Sequence, residues 1–261
     1  MDMEECQRKY SDLIATKDQI YHNVVTYTYA NGCVDLIATP VRMFREPGWE
    51  AADPDRIKPT PREAGKKSEG DNALRSMRRA RAKLRRLALA NDFEYFVTLT
   101  LDRQKIDRYD PKAITRALNT WLDNMVRRNG LKYILVPELH RDGALHFHGF
   151  FAGKNLPVVD SGHKDNCGET VYNLSQWGYG FSTAIRLRGE YPRAVGYVCK
   201  YIGKQEGQRP MGRWYYSGGA LKEPRKEYAD LDYDELSNNP DGIEFDTPGG
   251  KMLVIHAKME D

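Results

Sequence analysis

Cysteine is scarce in this 261-residue sequence: Cys6, Cys33, Cys167 and Cys199 are the only four, and no two form a CxxC pair. A disulfide framework or a thiolate zinc site is therefore not expected, and the pattern fits a reducing cytoplasm, the expected location. Long apolar runs are missing too. YILV at 133–136 is typical of what there is, far short of the roughly 18 residues of a membrane span, so no membrane partner is expected. The opening MDMEEC is acidic and has no apolar core segment, which argues against a secretory signal. A GxxxxGK[ST] loop is also lacking, because Gly65-Lys66-Lys67-Ser68 has neither the leading glycine nor the spacing, and this excludes a P-loop motor within the sequence. With 40% hydrophobic and 30% charged residues, the composition is that of an ordinary globular protein, one large domain or a domain with a small appendage.

The net charge of +3 hides an asymmetry. Residues 223–261 hold 11 acidic and 4 basic side chains, a net of −7, which leaves +10 on residues 1–222. A basic body with an acidic tail suggests a polyanionic partner.

Along the chain, two β-rich runs between Tyr21 and Met43 flank Asn31-Gly32, the strongest short hairpin signal. Residues 40–72, with five prolines and little apolar content, read as a long exposed loop. Residues 73–90 read as a basic amphipathic helix, with Leu74, Met77, Leu84 and Leu87 at helical spacing and seven basic residues within 75–86. FEYFVTLTLD (93–102) is a strand. PKAITRALNTWLDNMVRRNG (111–130) is a helix opened by Pro111 and stopped by Gly130. Strands follow at 131–138, 144–153 and 178–187, then a helix at 192–204. RWYYSGG and KMLVIHA add edge strands around the acidic stretch 223–246. The order implies an α+β protein with a central, mainly antiparallel sheet of about five strands flanked by helices. Its parts are an N-terminal hairpin and Pro-rich loop (1–72), a core (73–222) and an acidic C-terminal extension (223–261).

One hairpin carries chemistry. His146 and His148 are two apart on a strand and face the same side, while Leu145 and Phe147 face the other. A three-residue Arg141-Asp142-Gly143 turn would pair His140 with Ala144 and set Glu138 opposite His146. Glu138, His146 and His148 would then converge, with His140 nearby. A two-residue Asp-Gly turn would slip the register by one and send Glu138 to the other face. Two imidazoles and a carboxylate suit Mn²⁺, Fe²⁺ or Zn²⁺, and Mg²⁺ where water or phosphate completes the shell.

The helix at 192–204 carries a second pattern. Tyr197 and Tyr201 are i, i+4 and share a face, and Lys200 and Lys204 each follow a tyrosine by three, so each is expected beside a hydroxyl. A phenol of pKa about 10 is a poor nucleophile at neutral pH. A neighbouring ammonium favours phenolate, and a divalent cation on a target phosphate removes the rest of the difficulty.

These residues resemble the HUH endonuclease superfamily, in particular rolling-circle replication initiator (Rep) proteins of single-stranded DNA phages and related plasmids. FVTLTLD (96–102) looks like the first motif. LHFHGFF (145–151) matches the histidine–hydrophobic–histidine motif, with Glu138 where a third ligand is often placed, and YVCKYIGK (197–204) looks like the two-tyrosine motif. The resemblance spans about 95–205, under half the chain, with all three motifs in order. It implies the HUH fold, Mg²⁺ or Mn²⁺ held by His146, His148 and Glu138, and nucleophilic Tyr197 and Tyr201 assisted by Lys200 and Lys204. It also implies a nick in single-stranded or origin-hairpin DNA that leaves a 5′-phosphotyrosine and a 3′-OH, with a host helicase and polymerase as partners. YIGK resembles the single-tyrosine YxxK pattern more than YVCK does, so Tyr201 is expected to cut first. Arg75, Arg78, Arg79, Lys83, Arg85 and Arg86 are candidate DNA contacts, and Trp177, Tyr179, Phe181 and Trp214 candidate base-stacking residues. The alternatives are a transposase of the same superfamily, a non-catalytic origin-binding protein and a non-haem iron oxygenase, whose ligand set is similar.

Overall fold

In the computed structural model, residues 21–29, 32–44, 69–189, 191–204, 209–247 and 250–258 are described. The chain forms two units, 66–223 and the combination of 1–65 with 224–261.

The first unit is built on strands whose side chains alternate. β3 (Tyr95–Thr100) reads buried, half-buried in strict turn, and β5 (Leu145–Ala152) begins the same way. They join β4 (Lys132–Leu139), β6 (Val158–Lys164), β7 (Thr170–Leu174), β8 (Ser182–Arg186) and β9 (Tyr216–Gly218) in a seven-stranded antiparallel sheet of order β6-β7-β8-β3-β5-β4-β9. On one face Val97, Leu99, Phe147 and Phe151 meet Ile114, Leu118, Trp121, Leu122 and Met125 of helix α2 (Pro111–Asn129) in the main core. The Asp110 carboxylate caps the start of α2, Pro111 occupies its first turn, and Gly130, at φ 62°, ends it. On the other face lies helix α3 (Tyr191–Gly203), with helix α1 (Glu69–Leu89) packed against it. Tyr191 ties that layer together: its ring meets Phe150 edge-on, and its hydroxyl donates to the Ala88 carbonyl at 2.8 Å.

The second unit is a five-stranded antiparallel sheet of order β10-β1-β2-β12-β11, made of β1 (Tyr21–Thr28), β2 (Cys33–Phe44), β10 (Arg225–Ala229), β11 (Gly242–Thr247) and β12 (Gly250–Lys258). Helix α4 (Tyr233–Ser237) lays Tyr233 and Leu236 against the small core of Val24, Ala38, Leu253 and Ile255.

Several sequence expectations change. There are two sheets, of seven and five strands, where one of about five was expected. The extra strands β6 and β7 are mostly exposed or half-buried, so their sequences carry no alternating apolar signal. The loop expected at 40–72 is shorter: β2 runs through Pro40 to Phe44, and α1 begins at Glu69. The strand tolerates Pro40 because the β1–β2 register is irregular there, passing from His22↔Met43 to Val24↔Ala38. The rest of that loop, 45–68, lies outside the described residues. KMLVIHA is an interior strand, between β2 and β11, where an edge strand was expected. The acidic stretch 223–246 contains β10, α4 and β11. Along α1, Leu84 and Leu87 are buried, but Leu74 is exposed.

Gly149 sits where β5 passes between β3 and β4, and a Cβ there would run into the backbone of Ile134 and Leu135. Since both neighbours are sheet backbone, they cannot yield as a side chain would. Gly149→Ala should destabilise the seven-stranded unit by about 3 kcal/mol or more, read as a lower urea midpoint for the emission of Trp121 and Trp177.

Candidate active site

The turn between β4 and β5 decides which groups meet. Gly143 has φ 82°, a region costly for any residue with a Cβ. The His140 N–H donates to the Ala144 carbonyl at 2.8 Å, and the Gly143 N–H to the His140 carbonyl at 2.9 Å. The loop is therefore the three-residue form, with Glu138 opposite His146 and Val136 opposite His148. Asp142 stiffens it by accepting the Ala144 N–H at 3.1 Å and pairing with Arg108 at 2.9 Å. First that N–H and then the Arg108 charge hold its carboxyl below the ordinary range.

Both histidines lie half-buried on the face away from α2. Strand β3 supplies a hydroxyl to each. Thr98 pairs with His148 and places its Oγ1 3.1 Å from the ring Nδ1; Thr100 pairs with His146 and places its Oγ1 3.5 Å away. The Nε2 of His148 lies 2.8 Å from one Glu138 oxygen, while the Lys204 ammonium donates to the other at 2.8 Å. His140 is exposed and stacks on His146 with ring centroids 5.0 Å apart.

Two imidazoles and a carboxylate on one face have the donor chemistry for a divalent cation, and a threonine at each Nδ1 would leave each Nε2 as the ligating nitrogen. The fit is one of donor chemistry. Among the described residues, no group of three or more His, Cys, Asp or Glu side chains is arranged to hold a metal ion. Glu138 is engaged by Lys204 and His148 instead. A hydroxyl both donates and accepts, so Thr98 can serve either tautomer of His148.

Helix α3 brings the tyrosines to this face. Tyr201 is buried and stacks flat on His148, centroids 4.1 Å apart at 8°. Tyr197 is 50% exposed and meets Phe96 edge-on at 5.8 Å. The Tyr201 hydroxyl donates to the Tyr197 oxygen at 2.7 Å. The expectation that each lysine lies beside a hydroxyl does not hold. The Lys204 ammonium lies 4.3 Å from the Tyr201 ring centroid, over the ring, drawn there by Glu138, and Lys200 is exposed, with no contact to either tyrosine among the described residues. Nor is the Tyr201 phenol made more acidic. Burial chiefly, then the bond to Tyr197 and the nearby Glu138 charge, push its pKa up.

The other candidates divide by exposure. On α1, Arg78, Arg79 and Lys83 are exposed, whereas Arg75, Arg85 and Arg86 are half-buried. Arg81, passed over in the sequence, is exposed as well. Trp177 is core, its indole N–H bonded to the Thr100 carbonyl at 3.1 Å. Trp214 is half-buried, bonded to Ser76 and covered by Arg209. Thr98 and Thr100 were also missed as partners of the histidines, although the alternation of VTLT already placed both threonines on one face.

Residues 94–206 match the family model of a phage replication-associated protein, ORF2. The matched stretch runs from just before β3 to just beyond α3 and contains Glu138, His146, His148, Tyr197 and Tyr201. No curated protein and no solved structure matches the chain. Among the described residues, no helix is long and apolar enough to cross a membrane.

Burial holds both imidazoles below the ordinary value of 6.5, with His140 adding to the effect on His146, and with burial outweighing the attraction of Glu138 at His148. In metal-free protein both should titrate below pH 6.5 by NMR. As pH falls, unfolded imidazoles bind protons before the folded ones do. The stability these residues contribute should therefore decline from about pH 6.5 down to their folded pKa values, seen as a falling urea midpoint.

Proposed function

We propose that this protein is a replication initiator with the HUH endonuclease fold, which nicks single-stranded origin DNA through a tyrosine and rejoins it at the end of a round of replication. The observation that carries this reading is the meeting of three distant segments on one sheet face: Thr98 and Thr100, Glu138 with His146 and His148, and Tyr197 with Tyr201. The match of residues 94–206 to a replication-associated family supports it independently.

His146, His148 and Glu138 would hold Mg²⁺ or Mn²⁺, which supplies Lewis-acid polarisation of the scissile phosphate and stabilises charge on the leaving oxygen. The rest falls to the chain itself. A tyrosine oxygen forms a bond to phosphorus as the P–O3′ bond breaks, and the phenolic proton balances the one gained by the 3′-OH. The product, a 5′-phosphotyrosine, retains the phosphodiester bond energy, so a 3′-OH can later reverse the step without ATP. Although the motif resemblance favours Tyr201 for the first cut, the geometry favours Tyr197. Tyr197 is the more exposed of the two, and the O–H donated by Tyr201 would stabilise its phenolate. Tyr201 would then serve the second cut. The released 3′-OH would prime a host polymerase, and a host helicase would unwind the duplex.

Incubating the protein with single-stranded origin-bearing DNA and Mn²⁺ should give a covalent adduct on a denaturing gel. Tyr197→Phe should remove most of it and Tyr201→Phe little, while changing both should abolish it. An absence of adduct with any divalent metal would sink the nicking reading and leave an origin-binding protein. An adduct followed by strand insertion at a new site would point to a transposase.

Reversing Arg78, Arg79 and Lys83 to Glu should weaken binding to single-stranded DNA. It should also flatten the dependence of log affinity on log salt, by about 0.7 per lost phosphate contact. An unchanged slope in a filter-binding titration would reduce α1 to a solvated helix.

A further inference from the structure

Phe181 is 74% exposed, the most exposed of the large hydrophobic side chains among the described residues. A single apolar side chain in water is ordinary, but this one is held in place and in line with the site. The Thr100 N–H donates to the Phe181 carbonyl and the Asp102 N–H to the Tyr179 carbonyl, both at 2.8 Å. Between them, Gly180 lies so close to β3 that a Cβ would collide with the Thr100 carbonyl. Tyr179 and Trp177 anchor the same segment, ring against ring 5.5 Å apart. The backbone that carries Phe181 is thereby strapped to the end of β3.

The register fixes its direction. Thr98 pairs with Thr183 on one side and with His148 on the other, and Thr100 with His146. Continuing the β3–β8 alternation by two residues sets Phe181 beside Thr100, on the face that carries Glu138 and both histidines. Phe181 is two strands from His146, roughly 10 Å at the usual spacing. Beyond it that face is open and carries no carboxylate: Thr183 and Asn173 are exposed, and Ile185 and Val171 are half-buried. A polyanion can cross such a strip without repulsion, while the Lys204 charge lies at the other end.

We propose that Phe181 is a stacking platform for a base of single-stranded DNA, holding a nucleotide beside the scissile phosphate. The inference rests on the nicking reading and deepens it, since it names the contact that positions the strand. Of the four aromatic residues considered for this role, Phe181 alone presents an open ring on the site face. Trp177 is buried, Trp214 is covered by Arg209, and Tyr179 is packed on Trp177. Stacking on a ring tolerates any base, so Phe181 contributes affinity and placement while sequence is read elsewhere.

The test uses the full-length protein in EDTA with a labelled oligothymidylate of about 16 nucleotides, followed by fluorescence anisotropy. Phe181→Ala should weaken binding about fivefold or more and leave the salt slope unchanged, because no charge is removed. Phe181→Trp should retain affinity, and its added emission, taken as the difference from wild type, should be quenched by the bound oligonucleotide. Wild-type affinity in Phe181→Ala, together with unquenched emission in Phe181→Trp, would overturn the proposal. So would a wild-type protein that does not bind the oligonucleotide. The two readings fail separately. If the wild type forms its covalent adduct but Phe181→Ala binds normally, the stacking platform is lost and the nicking reading stands. If Phe181→Ala binds weakly but the wild type never forms an adduct, the platform stands and nicking falls.

Discussion

The left-handed backbone at Gly143 is the constraint on which the site depends. A residue with a Cβ would resist that conformation, and the alternative two-residue turn would shift β5 by one position. The shift would exchange faces along the whole strand, sending His146 and His148 into the core and Leu145 and Phe147 into the site. The core therefore reinforces the turn: Phe147 and Phe151 are fully buried under α2, so a slipped register would bury imidazoles and expose phenylalanines. Placement of the site and hydrophobic burial are satisfied by the same pairing.

The second determinant is how Glu138 is shared. With one oxygen on the Lys204 ammonium and the other on His148, the carboxylate ties β4 to the C-terminal end of α3. Tyr201, sandwiched between His148 and Lys204, is fixed by the same contacts. A divalent ion at the donors would compete with Lys204 for this carboxylate. Because Lys204 lies at the end of its helix and is largely exposed, giving up that contact would cost little.

Local chemistry was legible in the sequence wherever a periodic pattern and a special residue coincided. The β4–β5 hairpin was readable from Asp142-Gly143 and the alternation around it, and α2 from Pro111, its apolar stripe and Gly130. The two tyrosines on one face of α3 followed from their spacing. Long-range pairing was not legible. Nothing in Val158–Lys164 or Thr170–Leu174 marks them as strands extending the sheet past β8, since their side chains are mostly not buried. Nor did the hairpin at Tyr21–Phe44 reveal that its other partners, β10 and β12, lie near the far end of the chain. The lysines were misjudged for a related reason: helical spacing places Lys204 near Tyr201, but only the fold reveals Glu138 drawing it onto the ring.

The sheet of the second unit has a consequence for the order in which the protein is made. β2 pairs with β1 beside it in sequence and with β12 near the other end of the chain. As the chain is synthesised, every strand and helix of the seven-stranded unit emerges before β12 does, so that unit can close while one edge of β2 is still bare. An open edge is where two unfinished copies would pair with each other. Completion of this sheet thus waits on the last strand, and crowded synthesis is where a fault would arise.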